Sequence, residues 1–157
     1  TTATDTFNTA VGHDAGSAVS TGVRNTLIGG LAGEGLTTSG GNTALGYAAL
    51  SAAGTPASCT AIGLSALEVA TGSENTALGV NAGNAITTGT NNLIIGVNAD
   101  PSAAGATNQM VMGREVTGSG DNTFTFGAGT SDSAIANGAK TYPQATGHTL
   151  RILKHEL

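Results

Sequence analysis

One five-residue phrase, Asn75-Thr76-Ala77-Leu78-Gly79, recurs along the chain at nearly constant spacing. Asn8-Thr9-Ala10-Val11-Gly12, Asn25-Thr26-Leu27-Ile28-Gly29 and Asn42-Thr43-Ala44-Leu45-Gly46 precede it, with the variant Cys59-Thr60-Ala61-Ile62-Gly63. Asn92-Leu93-Ile94-Ile95-Gly96, Gln109-Met110-Val111-Met112-Gly113 and Thr123-Phe124-Thr125-Phe126-Gly127 follow as looser copies. From glycine to glycine the steps are 17, 17, 17, 16, 17, 17 and 14 residues. A short fixed period implies one structural unit stacked on itself, so that each unit packs chiefly against its neighbours.

Each unit reads as one turn of an all-β coil, a parallel β-roll or β-solenoid of about seven 17-residue rungs. The five-residue phrase is a strand, and alternation puts its second and fourth positions on one face and its third on the other. The fourth row is Val11, Ile28, Leu45, Ile62, Leu78, Ile95, Met112 and Phe126. It is apolar throughout and is expected to form the inward ladder of the coil. The glycines Gly12, Gly29, Gly46, Gly63, Gly79, Gly96 and Gly113 permit a bend that a Cβ would resist. Three residues later stands an alanine, Ala15, Ala32, Ala49, Ala66, Ala82 and Ala99, where backbone is expected to pass close to backbone. A further apolar row reads Val19, Leu36, Ala53, Val69, Ile86 and Ala103, and turn chemistry such as Thr71-Gly72 and Thr88-Gly89 closes each unit.

Seventeen residues at ~3.3 Å each give a contour of only roughly 55 Å, so the core is thin. A thin rod is nearly all surface and would ordinarily carry charge. Here only 10% of residues are charged and 3% aromatic, against roughly 25% charged in an ordinary domain. The third strand position, Ala10, Leu27, Ala44, Ala61, Ala77, Ile94 and Val111, is also small or apolar. Both strand faces therefore read as buried: one fills the coil, and the other, expected to be the third-position row, packs against further copies of the chain.

The 157 residues suffice for one domain. Net charge is −5, with two basic and nine acidic residues over 1–139 and three basic and one acidic over 140–157. No basic patch suits nucleic acid. The single Cys59 excludes an intrachain disulfide framework and occupies a place where other units have Asn. No apolar run is long enough to insert in a bilayer, and no signal-peptide pattern opens the sequence. The sequence opens in the style of the repeat, so it is expected to be a fragment or a processed product. It divides into a repeat shaft, 1–127, and a non-repeat tip or junction, 128–157, where Gly127-Ala128-Gly129, Asn137-Gly138 and Tyr142-Pro143 are turn signals.

The pattern Asn-Thr-Ala-Leu-Gly, two residues, Ala-Gly, then Thr-Thr-Gly, cleanest over Asn75 to Gly89, resembles the repeat of bacteriophage tail fibres. It is also similar to the head repeats of trimeric autotransporter adhesins, and the likeness covers residues 8–127. Phe124 to Lys140 resembles the segment preceding the self-cleaving, endosialidase-type chaperone of many phage fibres; the chaperone itself is absent from this sequence. The resemblance implies a parallel β-roll, a homotrimer and a role in attachment.

The chemical motifs reduce to structural ones. Gly29-Gly30-Leu31-Ala32-Gly33-Glu34-Gly35 is glycine-rich but no Gly-Lys-Ser/Thr follows, so solenoid turns explain it better than a phosphate loop. Gly118-Ser119-Gly120-Asp121 is like a calcium-binding nonapeptide but occurs once, where such sites need stacked copies. His13, His148 and His155 lack metal-ligand spacing, and His13-Asp14 beside Ser17 lacks a nucleophile elbow. Lys154-His155-Glu156-Leu157 has the form of a retention tail without a signal peptide to go with it. The ten acidic residues are too scattered for the paired carboxylates of a solenoid polysaccharide depolymerase. Thr9, Thr26, Thr43, Thr60 and Thr76 form a ladder of the kind an ice-binding face needs, but on the face expected to be interior.

The expectation is therefore a non-enzymatic structural and adhesive segment without cofactor or metal. The resemblance implies a virion tail-fibre segment, extracellular, mediating attachment to the host cell; the alternatives are a bacterial adhesin head at the cell surface and, further off, a depolymerase. Its partners would be itself as a homotrimer, other fibre or tail proteins, and a host-surface glycan or other receptor. The positively charged 128–157 segment supplies the candidate ligand-binding residues Tyr142, His148, Arg151 and Lys154.

Overall fold

The structure is a computed structural model that describes residues 6–52, 54–128 and 133–136. Eight short strands, β1 (Thr9–Val11), β2 (Thr26–Ile28), β3 (Thr43–Leu45), β4 (Thr60–Ile62), β5 (Thr76–Leu78), β6 (Leu93–Ile95), β7 (Met110–Met112) and β8 (Thr123–Phe126), follow the repeat. They pair in chain order, parallel and in repeat register, as in Ala44↔Ala61 and Ala61↔Ala77. The chain is thus an all-β parallel solenoid of about seven turns, with no helix among the described residues. At its end β9 (Ser133–Ala136) pairs antiparallel with β8 and breaks the stacking rule.

Three-residue strands would be too short to hold a sheet alone. Here the turns are bonded rung to rung as well. Thr76 N–H donates to Asn92 O at 2.8 Å, Gly83 N–H to Ala99 O at 2.8 Å, and Thr87 N–H to Ala104 O at 2.9 Å. Each coil closes by visiting left-handed backbone at fixed places. In one rung these are Gly79 (φ +139°), Asn81 (+54°) and Gly83 (+66°). The bend glycine is required twice over, because a Cβ on Gly79 would also lie 2.6 Å from Gly96 O of the next rung.

The turn direction decides which strand face is enclosed, and it encloses the third position. Leu27, Ala44, Ala61, Ala77, Ile94 and Val111 are buried, as are Ala32, Ala49, Ala66, Ala82 and Ala99. The fourth row, expected inside, lies on the outer face: Val11 is 58% exposed, Leu45 45% and Leu78 46%, with Ile28 and Met112 also exposed and Ile62, Ile95 and Phe126 half-buried. The physical reason is the bend: the glycine after each strand turns the chain toward the third position, and the small residues there, Ala44, Ala61 and Ala77, leave room for Leu50, Leu67 and Ile86 from the turns.

The large core side chains change position from rung to rung. Rung two holds Leu27 and Leu36 around Gly33, where a Cβ would strike both leucines. In rungs three and four the strand residue shrinks to Ala44 or Ala61, and Leu50 or Leu67 fills the space from the place of Gly33. Rung five returns to Gly83 with Ile86. In the sixteen-residue unit the inward residue is Ala70, and Val69, expected in the core row, is exposed. The missing residue thus falls after Ala70. Ala103 is also exposed, and Ala53 lies outside the described residues.

Candidate functional site

Alternation puts the first strand position inward with the third, so each rung's leading Asn enters the core. Asn25, Asn42, Asn75, Asn92 and Gln109 are buried. Their amides form a ladder along the rod. Asn25 N–H donates to Asn8 Oδ1 at 2.8 Å, Asn42 N–H to Asn25 Oδ1 at 3.0 Å, and Asn92 N–H to Asn75 Oδ1 at 3.1 Å. Each Nδ2 donates to a carbonyl one rung on, such as Asn75 to Gly89 O at 2.7 Å and Asn92 to Ala106 O at 2.8 Å. Cys59 breaks the ladder; its thiol donates weakly to Gly72 O at 3.5 Å, and burial pushes its pKa up. The invariance of position within the repeat was the available signal for this ladder, and polarity hid it.

The motifs weighed for chemistry sit in turns. His13 and Asp14 are adjacent and exposed, 3.1 Å apart, on a surface bend with no third titratable group gathered to them among the described residues. The Gly29–Gly35 run is the second rung's turn, with Gly33 packed on Leu27 and Leu36. Asp121 Oδ1 accepts from Thr107 N–H at 2.8 Å and Gln109 Nε2 at 3.2 Å, which commits this carboxylate to the coil's own hydrogen bonds. Asp100 Oδ1 accepts from Ala85 N–H at 2.8 Å, while burial pushes its pKa up. Among the described residues no three His, Cys, Asp or Glu side chains gather to hold a metal, and no helix is long and apolar enough to cross a membrane. Tyr142, His148, Arg151 and Lys154 lie outside the described residues.

What remains is the outer face of the parallel sheet. Two residues per rung point outward, the second and fourth strand positions. From β1 to β5 the pair is Thr with Val, Ile or Leu; β6, β7 and β8 present Leu93 with Ile95, Met110 with Met112, and Phe124 with Phe126. Eight strands at ~4.8 Å spacing make a strip about 34 Å long with no charged residue in it. Beside it, just past the bend glycines of the third to sixth rungs, Tyr47 is 57% exposed, and Leu64, Val80 and Val97 continue the apolar surface; His13, Gly30 and Arg114 hold this position elsewhere. Soluble monomers seldom leave so long an apolar strip uncovered. The threonine row thought to be interior is on this face, so the ground for setting aside ice binding does not hold.

Fold and face together define the class: an all-β parallel solenoid with an uncharged, largely apolar outer sheet face. Comparison with protein-family models, with curated proteins and with solved structures finds no match for this chain.

Proposed function

We propose that this chain is a structural and adhesive segment of a viral tail fibre. Three copies associate through the outer sheet face into a rod, and the rod's 128–157 end contacts a host-surface glycan or a neighbouring fibre protein. The observation that carries this reading is the uncharged apolar strip left open on a single chain. The repeat's resemblance to fibre and adhesin sequences supplies the biological setting, and a bacterial adhesin head is the same reading on another surface. The apolar rows suit a spacer, and no described cluster of side chains suits catalysis.

Light scattering is expected to give three times the 15.1-kDa chain mass. Leu45→Glu with Leu78→Glu should yield folded monomers, because a charge buried in an apolar interface is costly while the coil's own core is untouched. Removal of residues 141–157 should leave the trimer and abolish adsorption to host cells. Retained adsorption would refute binding through that end, and a folded wild-type monomer would refute the rod.

One observation favours a second reading, ice binding: the outward row Thr9, Thr26, Thr43, Thr60 and Thr76 at regular rung spacing. It requires the face to be uncovered. A wild-type monomer with measurable thermal hysteresis would favour it over the fibre reading.

A further inference from the structure

The rungs are not bonded to one another equally along the rod. The junction between the fourth and fifth is short of bonds in two places. At the other junctions from the first rung to the seventh, the leading backbone N–H of one rung donates to an Asn Oδ1 of the rung before. Asn25 donates to Asn8 at 2.8 Å, Asn42 to Asn25 at 3.0 Å, Cys59 to Asn42 at 2.9 Å, Asn92 to Asn75 at 3.1 Å and Gln109 to Asn92 at 3.0 Å. Cys59 has no such oxygen to offer. The backbone amide of Asn75 faces its sulfur, a weak acceptor, and the thiol's own bond to Gly72 O is 3.5 Å long. A second link recurs at the sixth residue after the bend glycine. Ala18 N–H donates to Glu34 O at 3.2 Å, Gly35 N–H to Ser51 O at 3.1 Å, and Ala52 N–H to Glu68 O at 2.8 Å. In the fifth rung Ala85 N–H donates to Asp100 Oδ1 at 2.8 Å. In the fourth rung this place falls to Val69, whose N–H has no partner among the described residues. The unit is also one residue short here, sixteen from Gly63 to Gly79. Asn91 N–H reaches Ser73 O across the same junction only at 3.4 Å, where Gly41 N–H reaches Val23 O at 3.0 Å.

We infer that the rod yields at this junction, so that β1–β4 and β5–β9 open as two separate cooperative blocks, β1–β4 first. In a stack where each rung touches only its neighbours, stability is a sum of rung and junction contributions, and cooperativity lapses where a junction is weakest. The junction still holds the folded blocks in line. Thr60 N–H donates to Asn75 O at 2.9 Å, Gly79 N–H donates to Ile62 O at 2.8 Å, and Leu67 packs over Gly83. The order of opening follows from the two ends. In the first rung Ala10 is exposed and Val19 half-buried, whereas Leu27 and Leu36 of the next rung are covered. At the other end β9 closes on β8. A pull or a mild denaturant that loosens the first rungs therefore unravels the coil as far as Ile62 and leaves the rungs from Thr76 onward standing. That outcome does not depend on how many copies of the chain associate.

Hydrogen exchange of the full chain in low urea, read by mass spectrometry on peptides from each rung, tests this. Amides between Thr26 and Ile62 should exchange about tenfold faster, or more, than those between Thr76 and Met112, with the step falling between Ile62 and Thr76. Cys59→Asn returns an amide oxygen to face Asn75 N–H, and should shrink the step to below about threefold. Asn92→Cys removes the acceptor of Gln109 N–H and should create a new step between Ile95 and Met110. Circular dichroism confirms that each variant folds. Wild-type rates with no step between Ile62 and Thr76 overturn the inference, as does a step of unchanged size in folded Cys59→Asn. Should Cys59→Asn fail to fold, Asn92→Cys decides: exchange without a new step between Ile95 and Met110 overturns the claim that a missing amide uncouples the rungs.

Discussion

The asparagine ladder offers the sharpest test of the coil, and Asn75→Ala is the perturbation to make. Asn75 Nδ2 donates to Gly72 O at 3.1 Å and Gly89 O at 2.7 Å, while its Oδ1 accepts from Asn92 N–H at 3.1 Å and Asn92 Nδ2 at 3.0 Å. Two of the four partners have another bond to fall back on: Gly72 O accepts from the Cys59 thiol, and Asn92 Nδ2 donates to Ala106 O. The other two, Asn92 N–H and Gly89 O, lose this bond inside the rod. An unsatisfied buried group costs about 1–3 kcal/mol, so the pair costs roughly 2–6 kcal/mol. The vacated volume is polar and large enough to admit a water, which brings the expected loss to about 2–3 kcal/mol per chain. Urea unfolding followed by circular dichroism at fixed chain concentration measures it. Thr88→Ala, at an exposed turn residue of the same stack, is the control and should stay within about 0.5 kcal/mol of wild type. An Asn75→Ala midpoint indistinguishable from that control would refute the claim that the ladder holds the rungs together.

Three further outcomes follow from the geometry. Gly79→Ala combines a backbone angle of +139° with a Cβ 2.6 Å from Gly96 O, so it should cost at least ~2 kcal/mol in the same unfolding measurement. Asp100 has a folded pKa raised by burial, so the folded state binds its proton more tightly than the unfolded chain does. Its ionisation therefore weakens the fold as pH rises from the unfolded value through the folded one, and stability returns as pH falls. Asp100→Asn, which keeps an oxygen for Ala85 N–H, should flatten that part of a melting-temperature profile taken across mildly acid pH. Cys59→Asn should raise the urea midpoint by about 1 kcal/mol of stability, because an amide at this position supplies a stronger acceptor to the following rung and a stronger donor to Gly72 O than a thiol does.

The repeat spacing alone carried the fold class, because a 17-residue interval between identical strand phrases leaves few ways to pair them. The register is legible too: Ala44 pairs with Ala61, and Ala61 with Ala77 across the shortened unit. The sidedness was not legible. Alternation separates Ala77 from Leu78 but does not say which is enclosed, and hydrophobicity favours Leu78. The choice is made by the left-handed bends after the strand and by the space inside the coil, and both belong to the closed rung. The same ambiguity concealed the ladder, since Asn75 reads as a surface residue until its face is known to be interior. Hydrophobicity likewise favours Val69 over Ala70 for the core row, but the coil fixes the inward position seven residues after Gly63, at Ala70.

Exchanging the two faces preserves the inference of assembly, because that inference needed only that both faces resist water. It does change where partner choice resides. The interior is tied to its neighbours at every level: the bend glycines admit no Cβ, the alanines from Ala32 to Ala99 are fully covered, and the Asn residues serve the rung beyond them. A change there propagates along the stack. The outer pair on each strand is free of those ties and does vary, from Thr with Val in β1 to Phe with Phe in β8. Under the assembly proposed above, residues that vary over a fixed scaffold would tune how strongly one rod meets another without disturbing the coil that presents them.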